Sequence, residues 1–282
     1  MPNTLISYED ASGNNLPVRR GSPLPVNDYW VQHAIDVIEG TYGDIVSVDA
    51  KKKDLFKFGK NNTLGTSQET VWLRGGHETY PTTNAIDKFS SSDGGDDQSI
   101  VVEGHTVDGS GNFTFVTQTV TLDGQTETSL TTPLARATRV YNNGATDFAG
   151  TVYVYEDDTV TNGVPQTSAK IHLQTEGTNN QSLKAATTIS NVDYWLIGQI
   201  HAGVNKKTTA SVDFQFQIRE KGKVFRTRVP GSASSSGAAF SATLRPFLIV
   251  PKNADFRITA VGSTTNVSVE AWANGPLASV QS

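Results

Sequence analysis

Five histidines are the side chains best suited to proton transfer or metal binding near neutral pH, and they stand apart: His33, His77, His105, His172 and His201. None is spaced as HxxxH, HxH or HExxH, so no two share a face from which a metal would be held. His201 falls on the opposite face from Ile200 in an alternating run, the place of a half-exposed strand residue. A Ser-His-Asp site assembles from distant segments, but a Gly-x-Ser-x-Gly elbow in strand–turn–helix context is missing. The run Asp93-Gly94-Gly95-Asp96-Asp97 offers the hard oxygen ligands that calcium takes, without the spacing and closing Glu of an EF-hand. It reads as a turn stapled by Asx hydrogen bonds, and Asp157-Asp158 reads alike. Trp72, Tyr80, Trp195 and Trp272 are the aromatics from which a sugar platform would be built. Each lies in an apolar strand pattern, where a core position is the commoner outcome. Lys51-Lys52-Lys53 has no neighbouring aromatic and no Gly-rich phosphate loop, so it reads as a solvated turn. No catalytic residue, metal site or cofactor is expected, and the chain reads as a non-enzyme.

Composition narrows the classes further. The 282 residues carry 23 Lys and Arg against 28 Asp and Glu, a net charge of −5, with no Cys and one Met. Without Cys there is no disulfide, thiolate zinc site, iron–sulfur cluster or cysteine nucleophile. Mild acidity argues against nucleic acid as a partner. The first thirty residues hold no continuous apolar stretch, so neither a signal peptide nor a membrane span is expected there.

The elements that must position any site are strands. Val116, Gln118, Val120 and Leu122 alternate with threonines, and Val212, Phe214, Phe216 and Ile218 alternate with Asp213, Gln215, Gln217 and Arg219. Turn signals at Asp123-Gly124, Asn142-Asn143-Gly144, Asn162-Gly163 and Lys221-Gly222-Lys223 separate such runs. The pattern predicts an all-β protein of two antiparallel β-sandwiches, at 66–160 and 166–282, divided by the turn-rich stretch Asp157 to Pro165. The second is expected to be jelly-roll-like, with eight strands opening near Lys170–Leu173, and with a flexible loop at Ser232–Gly237. Residues 1–65 read as an extended arm punctuated by Pro17, Pro23 and Pro25, with one short helix from Asn27 to Ile38.

The chain also resembles a family of structural proteins from tailed, often marine, bacteriophages. The resemblance rests on Glu69-Thr70-Val71-Trp72 with Gly75-Gly76 and Tyr80-Pro81-Thr82, on Val101-Val102-Glu103-Gly104, and on Gln118 through Gly124. It continues through Arg139-Val140-Tyr141, Ala149-Gly150-Thr151-Val152, Asn180-Gln181-Ser182-Leu183 and Val250-Pro251, covering roughly residues 55–275. Where the family usually has Asp after the Trp, this chain has Leu73-Arg74. The resemblance implies a virion component assembled in the bacterial cytoplasm, with itself and other virion proteins (major capsid protein or tail components) as partners. A capsid decoration or cement subunit is the first expectation. A tail, baseplate or fibre-adaptor subunit is the second, and a carbohydrate-binding module the reading from another class. No catalytic residue is implied.

The arm has too few apolar residues to close a core, yet carries Trp30, Ile35, Ile38 and Phe56, each worth about 1.5–3 kcal/mol when buried. These four are the expected assembly residues, covered on a neighbouring subunit or on the chain's own sandwiches. Removal of residues 1–60 is expected to leave both sandwiches folded.

Overall fold

A computed structural model of the chain describes residues 7–9, 15–17, 53–205, 209–237 and 239–279. The expected helix, with Trp30, Ile35 and Ile38, lies outside the described residues. Two compact units divide the chain, Met1–Ser47 and Val48–Ser282. In the first, β1 (Ser7–Glu9) pairs antiparallel with β2 (Asn15–Pro17), Tyr8 opposite Leu16.

The second unit is all-β; two single 3₁₀ turns, Ser168–Lys170 and Gly177–Asn179, are its helical elements among the described residues. In chain order the strands begin with β3 (Lys53–Leu64), β4 (Glu69–Thr70), β5 (Ile86–Ser91), β6 (Ser99–Val107), β7 (Phe113–Thr121) and β8 (Thr128–Leu134). Then come β9 (Arg136–Asn142), β10 (Val152–Glu156), β11 (Val160–Thr161), β12 (Val164–Pro165), β13 (Ile171–Gln174) and β14 (Ala186–Thr188). The last are β15 (Asp193–Val204), β16 (Ser211–Arg219), β17 (Arg226–Ser234), β18 (Phe240–Val250), β19 (Asp255–Gly262) and β20 (Val267–Ser279).

One sandwich packs the sheet β13-β10-β5-β8 on the sheet β7-β6-β9. Its core holds Ile86, Phe89, Ile100, Val102, Leu134, Val140, Val152, Val154 and Leu173, drawn from both sheets. The alternation in β7 is as the sequence requires: Gln118 is buried and Val116 and Val120 face the core, while Thr117, Thr119 and Thr121 are exposed. The strand expected to open the second sandwich, β13, belongs here instead, with Leu173 opposite Val154. The stretch expected to divide the domains is a small β11–β12 hairpin of this same sandwich. Asn162 (φ 49°) and Gly163 (φ 74°) make its turn, and Val160 and Val164 pack on Tyr153, Tyr155 and Ile171. Asn-Gly signals a tight turn and carries no information about whether a domain ends there.

The other sandwich packs β18-β15-β20-β3 on β14-β19-β16-β17, with the short β4 added beside β19. Counting its eight strands along the chain without the short β4, from β3 as the first and β14 as the second to β20 as the eighth, gives sheets ordered 1-8-3-6 and 2-7-4-5. That is the order of a jelly roll, with two Greek keys folded face to face. Its first strand is β3, which the sequence reading placed in the arm. Lys53 stands opposite Leu277 and Leu64 opposite Val267, with Leu64 fully buried. The arm assignment fails for 53–64 because the pairing partner lies at the far end of the chain, where no local pattern reveals it. The first sandwich is thus an insertion between the first and second strands of the jelly roll.

The jelly-roll core is aromatic. Trp195, Phe214, Phe216 and Phe256 are completely covered, and the inward face of β16 is Val212, Phe214, Phe216 and Ile218. Ser232–Ser234, expected in a loop, continue β17 opposite Ser211–Asp213. Small residues belong there because β17 is crowded from above: a Cβ on Gly231 would meet the Phe240 ring at 2.7 Å.

Candidate functional site

The densest chemistry lies where the inserted sandwich meets the jelly roll. Asp255 opens β19, and its buried carboxylate takes groups from both bodies. Oδ1 accepts Arg136 Nε of β9 at 2.9 Å and Thr188 Oγ1 of β14 at 2.7 Å, while Oδ2 accepts Arg219 Nε of β16 at 2.9 Å. Burial pushes the Asp255 carboxyl up, but the guanidinium groups of Arg136 and Arg219 outweigh it and hold the group below the usual carboxylate range. Aromatic rings separate the arginines. Arg136 and Arg219 sit over Tyr80 at 5.1 and 4.1 Å, and Arg219 and Arg257 over Phe225 at 4.7 and 3.9 Å. Alternating cations and ring faces share charge that one carboxylate would not neutralise alone.

A second buried cation stands beside this stack. Lys184, just ahead of β14, donates to the Glu78 carboxylate, to the Ala137 carbonyl at 2.8 Å and to the His172 carbonyl at 3.2 Å. Its three protons are therefore all used, and burial lowers its pKa while Glu78 opposes the shift. The indole of Trp72 lies 5.3 Å from the amine. Trp72 is fixed in turn by the tight turn after it: Gly75 (φ 74°) and Gly76 (φ 67°) aim both carbonyls at the indole N–H, at 3.0 Å each. The turn forms with Leu73-Arg74 in place, Arg74 covering the Trp72 ring at 4.3 Å.

A cleft of about 650 Å³ opens beside this junction, lined by residues of both sandwiches including Phe56, Lys57, Glu103, His105, Phe115 and Arg139. Lys57 of β3 is buried, with its amine on the Thr138 carbonyl at 2.8 Å. Desolvation, followed by the charge of Lys184, lowers its pKa to about 7. His105 is buried against Phe113 and Phe115, and desolvation lowers its pKa to about 3, so its imidazole is neutral. The cleft therefore holds an amine that is half protonated near neutral pH and an imidazole that stays uncharged.

The residues singled out in the sequence are scattered over other places. Phe56 is 48% exposed on β3, its ring 5.5 Å from both Phe58 and Trp272. Trp272 stacks on His201 at 5.4 Å, and His201 Nδ1 meets Ser241 Oγ at 2.7 Å. These side chains form a half-open aromatic stripe across the outer face of the β18-β15-β20-β3 sheet. Trp72 and Trp195 are buried, Trp195 donating to the Gly275 carbonyl at 3.0 Å. His172 Nε2 pairs with Glu156 at 2.9 Å and His77 is exposed. In the acidic loop, Asp96 is buried and accepts the Ala149 and Gly150 amides at 2.8 and 3.0 Å, an anchor between two loops. Asp158 likewise accepts Thr167 N and Oγ1. Among the described residues, no group of three or more His, Cys, Asp and Glu is placed to share a metal ion, and no helix is long and apolar enough to cross a membrane.

The junction residues Lys57, Arg136, Lys184 and Asp255 escaped the sequence reading. A signal existed for the three cations: each interrupts an apolar run, in Leu55-Phe56-Lys57-Phe58, Leu134-Ala135-Arg136-Ala137 and Leu183-Lys184-Ala185-Ala186. A lone cation at an inward strand position needs a buried acceptor.

No family model and no curated protein matches the chain. Among solved structures it aligns with one of the infectious bursal disease virus Gt strain, at 10% identity and TM-score 0.22, over 90% of this chain and 78% of that one. It also aligns with the VP2 subviral particle of infectious bursal disease virus, at 8% identity and TM-score 0.18, over 88% and 78% of the two chains. Scores this low fall short of a shared fold.

Proposed function

We propose that the chain is a non-enzymatic structural subunit of a tailed-bacteriophage particle, placed first as a capsid decoration or cement protein. A tail, baseplate or fibre-adaptor subunit is the second placement. The observation that carries the reading is the sealed ionic junction, in which Asp255 holds one arginine from each sandwich. It ties an inserted sandwich to a jelly roll through side chains that serve as structural cross-links. The phage-like strings in the sequence point the same way, and jelly rolls serve in viral shells as well as in lectins. Fold alone does not choose between those uses. The proposed partners are further copies of the chain and other virion proteins, a major capsid protein or tail components. The arm residues Trp30, Ile35 and Ile38, with Phe56, make the contacts between subunits.

Quantitative mass spectrometry of heads and tails separated from particles tests the placement. Retention with heads supports decoration and retention with tails supports the adaptor. Absence from both overturns the structural reading.

One observation favours a carbohydrate-binding alternative: the stripe of Phe56, Phe58, Trp272 and His201 is open enough to stack on a sugar ring. A glycan array in which the chain binds and the Trp272→Ala variant does not would establish it.

A further inference from the structure

The net charge of −5 conceals a separation of charge between the two bodies. Residues 77–182, the insertion, carry four Lys and Arg against 14 Asp and Glu, a net −10. Residues 53–76 and 183–282, the jelly roll, carry 15 against 7, a net +8.

Exposed charges of opposite sign stand at the two ends of the β6–β7 hairpin. At its Ser99–Thr121 end three loops converge: the Gly124 amide bonds the Asp96 carbonyl at 2.8 Å, and Gln98 Nε2 bonds the Asp147 carbonyl at 3.3 Å. Asp97, Asp123 and Asp147 are exposed there. At the Val107–Phe113 end, the turn Asp108–Asn112 is met by the β16–β17 hairpin of the jelly roll. Lys221 Nζ donates to the Ser110 carbonyl at 2.5 Å and to Asn112 Oδ1 at 3.0 Å, and Asn253 Nδ2 reaches Asn112 Oδ1 at 3.3 Å. Lys223, Arg226, Arg228 and Lys252 are exposed at this end. Its exposed acids are Asp108, engaged with its own turn, and Glu220, paired with Arg228, while Asp255 is buried against Arg136 and Arg219 and Asp193 accepts Ser190 Oγ. Among the described residues, no carboxylate lies within 4.0 Å of the charged groups of Lys223, Arg226 or Lys252. Val224, at the tip, is 71% exposed. The nine residues of β6 hold the two ends about 30 Å apart, at about 3.3 Å per residue.

A body with unlike ends this far apart cannot satisfy them internally, but a second copy can. We propose that the basic β16–β17 hairpin of one copy docks head to tail on the acidic loop end of the inserted sandwich of the next copy. Lys223, Arg226 and Lys252 face Asp97 and Asp123, with Val224 as the apolar centre. Such a contact is heterologous, so it closes into a ring or continues through a shell rather than stopping at a dimer. The docking rests on the reading of the chain as an assembling structural subunit.

Sedimentation velocity of the full chain and of two charge-reversed variants tests it, one Lys223→Glu with Arg226→Glu and Lys252→Glu, the other Asp97→Lys with Asp123→Lys. All five positions are exposed, so folding is retained. The full chain is expected to associate at about 0.1 M salt and to dissociate at about 1 M, where the Debye length falls from about 10 Å to about 3 Å. Each variant alone is expected to lose the associated species, and an equimolar mixture of the two to regain it. Association of either variant at full strength overturns the docking and leaves the structural reading intact. A basic-end variant that associates normally but no longer retains double-stranded DNA would assign that end to nucleic acid and also overturn it. A full chain that stays monomeric at every salt overturns the docking, while the structural reading stands or falls with the fractionation of heads and tails.

Discussion

The inserted sandwich and the jelly roll are made of the same alternating strands, yet they differ in threading and in charge. Every strand of the insertion finds its partners between Ile86 and Gln174. The jelly roll closes only when β3 meets β20, with the whole insertion looped out between its first and second strands. Closing that loop costs entropy before any contact compensates, so the insertion is able to fold from local pairings while the jelly roll must wait for distant ones. The insertion is a self-contained acidic body; the jelly roll is a basic one that depends on the pairing of its first strand with its last.

The sharpest way to break this comparison is to remove the strand that only the jelly roll needs. Truncation of residues 1–64 takes away β3, uncovers the edge of β20 and leaves Val267 and Val269 exposed. The expected outcome in calorimetry is loss of the jelly-roll transition while the inserted sandwich still unfolds cooperatively. This revises the expectation that both sandwiches stay folded when residues 1–60 are removed. An unchanged pair of transitions would show that β3 is dispensable.

Next in size is the contact joining the two bodies. Asp255→Ala strands the buried Arg136 of the insertion and half-buried Arg219 of the jelly roll together, and a buried pair broken from one side costs about 3–5 kcal/mol. Because the folded-state pKa of Asp255 is depressed, its contribution is present at neutral pH and is lost as pH falls below the ordinary carboxylate range. The exposed Asp97→Ala is expected to change stability by less than about 0.5 kcal/mol, both variants being measured by urea titration.

A smaller effect separates the two faces of β3. Lys57 has a folded-state pKa of about 7 against an ordinary value of 10.5, so from about pH 7 to 10.5 the unfolded chain holds more protons. Stability is therefore expected to rise with pH across that window and to be flat in this respect below it, where Lys57 is charged in both states. Lys184 and Arg139 deepen the depression while Glu103 and Glu78 oppose it. Lys57→Met is expected to remove the alkaline rise, measured by denaturant titration at several pH values. Its neighbour Phe56→Ala, on the open face, is expected to leave it in place.

Much of the fold was legible because period-2 patterns are local. The inward faces of β7 and β16 were readable residue by residue, since Thr and Gln alternate there with Val and Phe. The domain cuts were not, because they depend on which strand a strand pairs with. Nothing within β3 or β13 says which sandwich either strand joins, and they belong to different ones. The junction was hidden for the same reason: Arg136 and Asp255 are far apart in the chain, and nothing local to either names the other. The charge polarity was hidden by averaging. A net −5 looks mildly acidic until the threading shows which residues to count together.

The proposed division of labour is that the two-sandwich body folds by itself, while ordered assembly needs the arm that precedes it as well as the charged ends of the body. The direct measurement is electron microscopy of the full chain beside a version lacking residues 1–47, which keeps β3 whole. The shortened chain is expected to unfold at the same temperature as the full one yet to form no ordered particles and join none. Ordered assembly or normal incorporation by the shortened chain would contradict it.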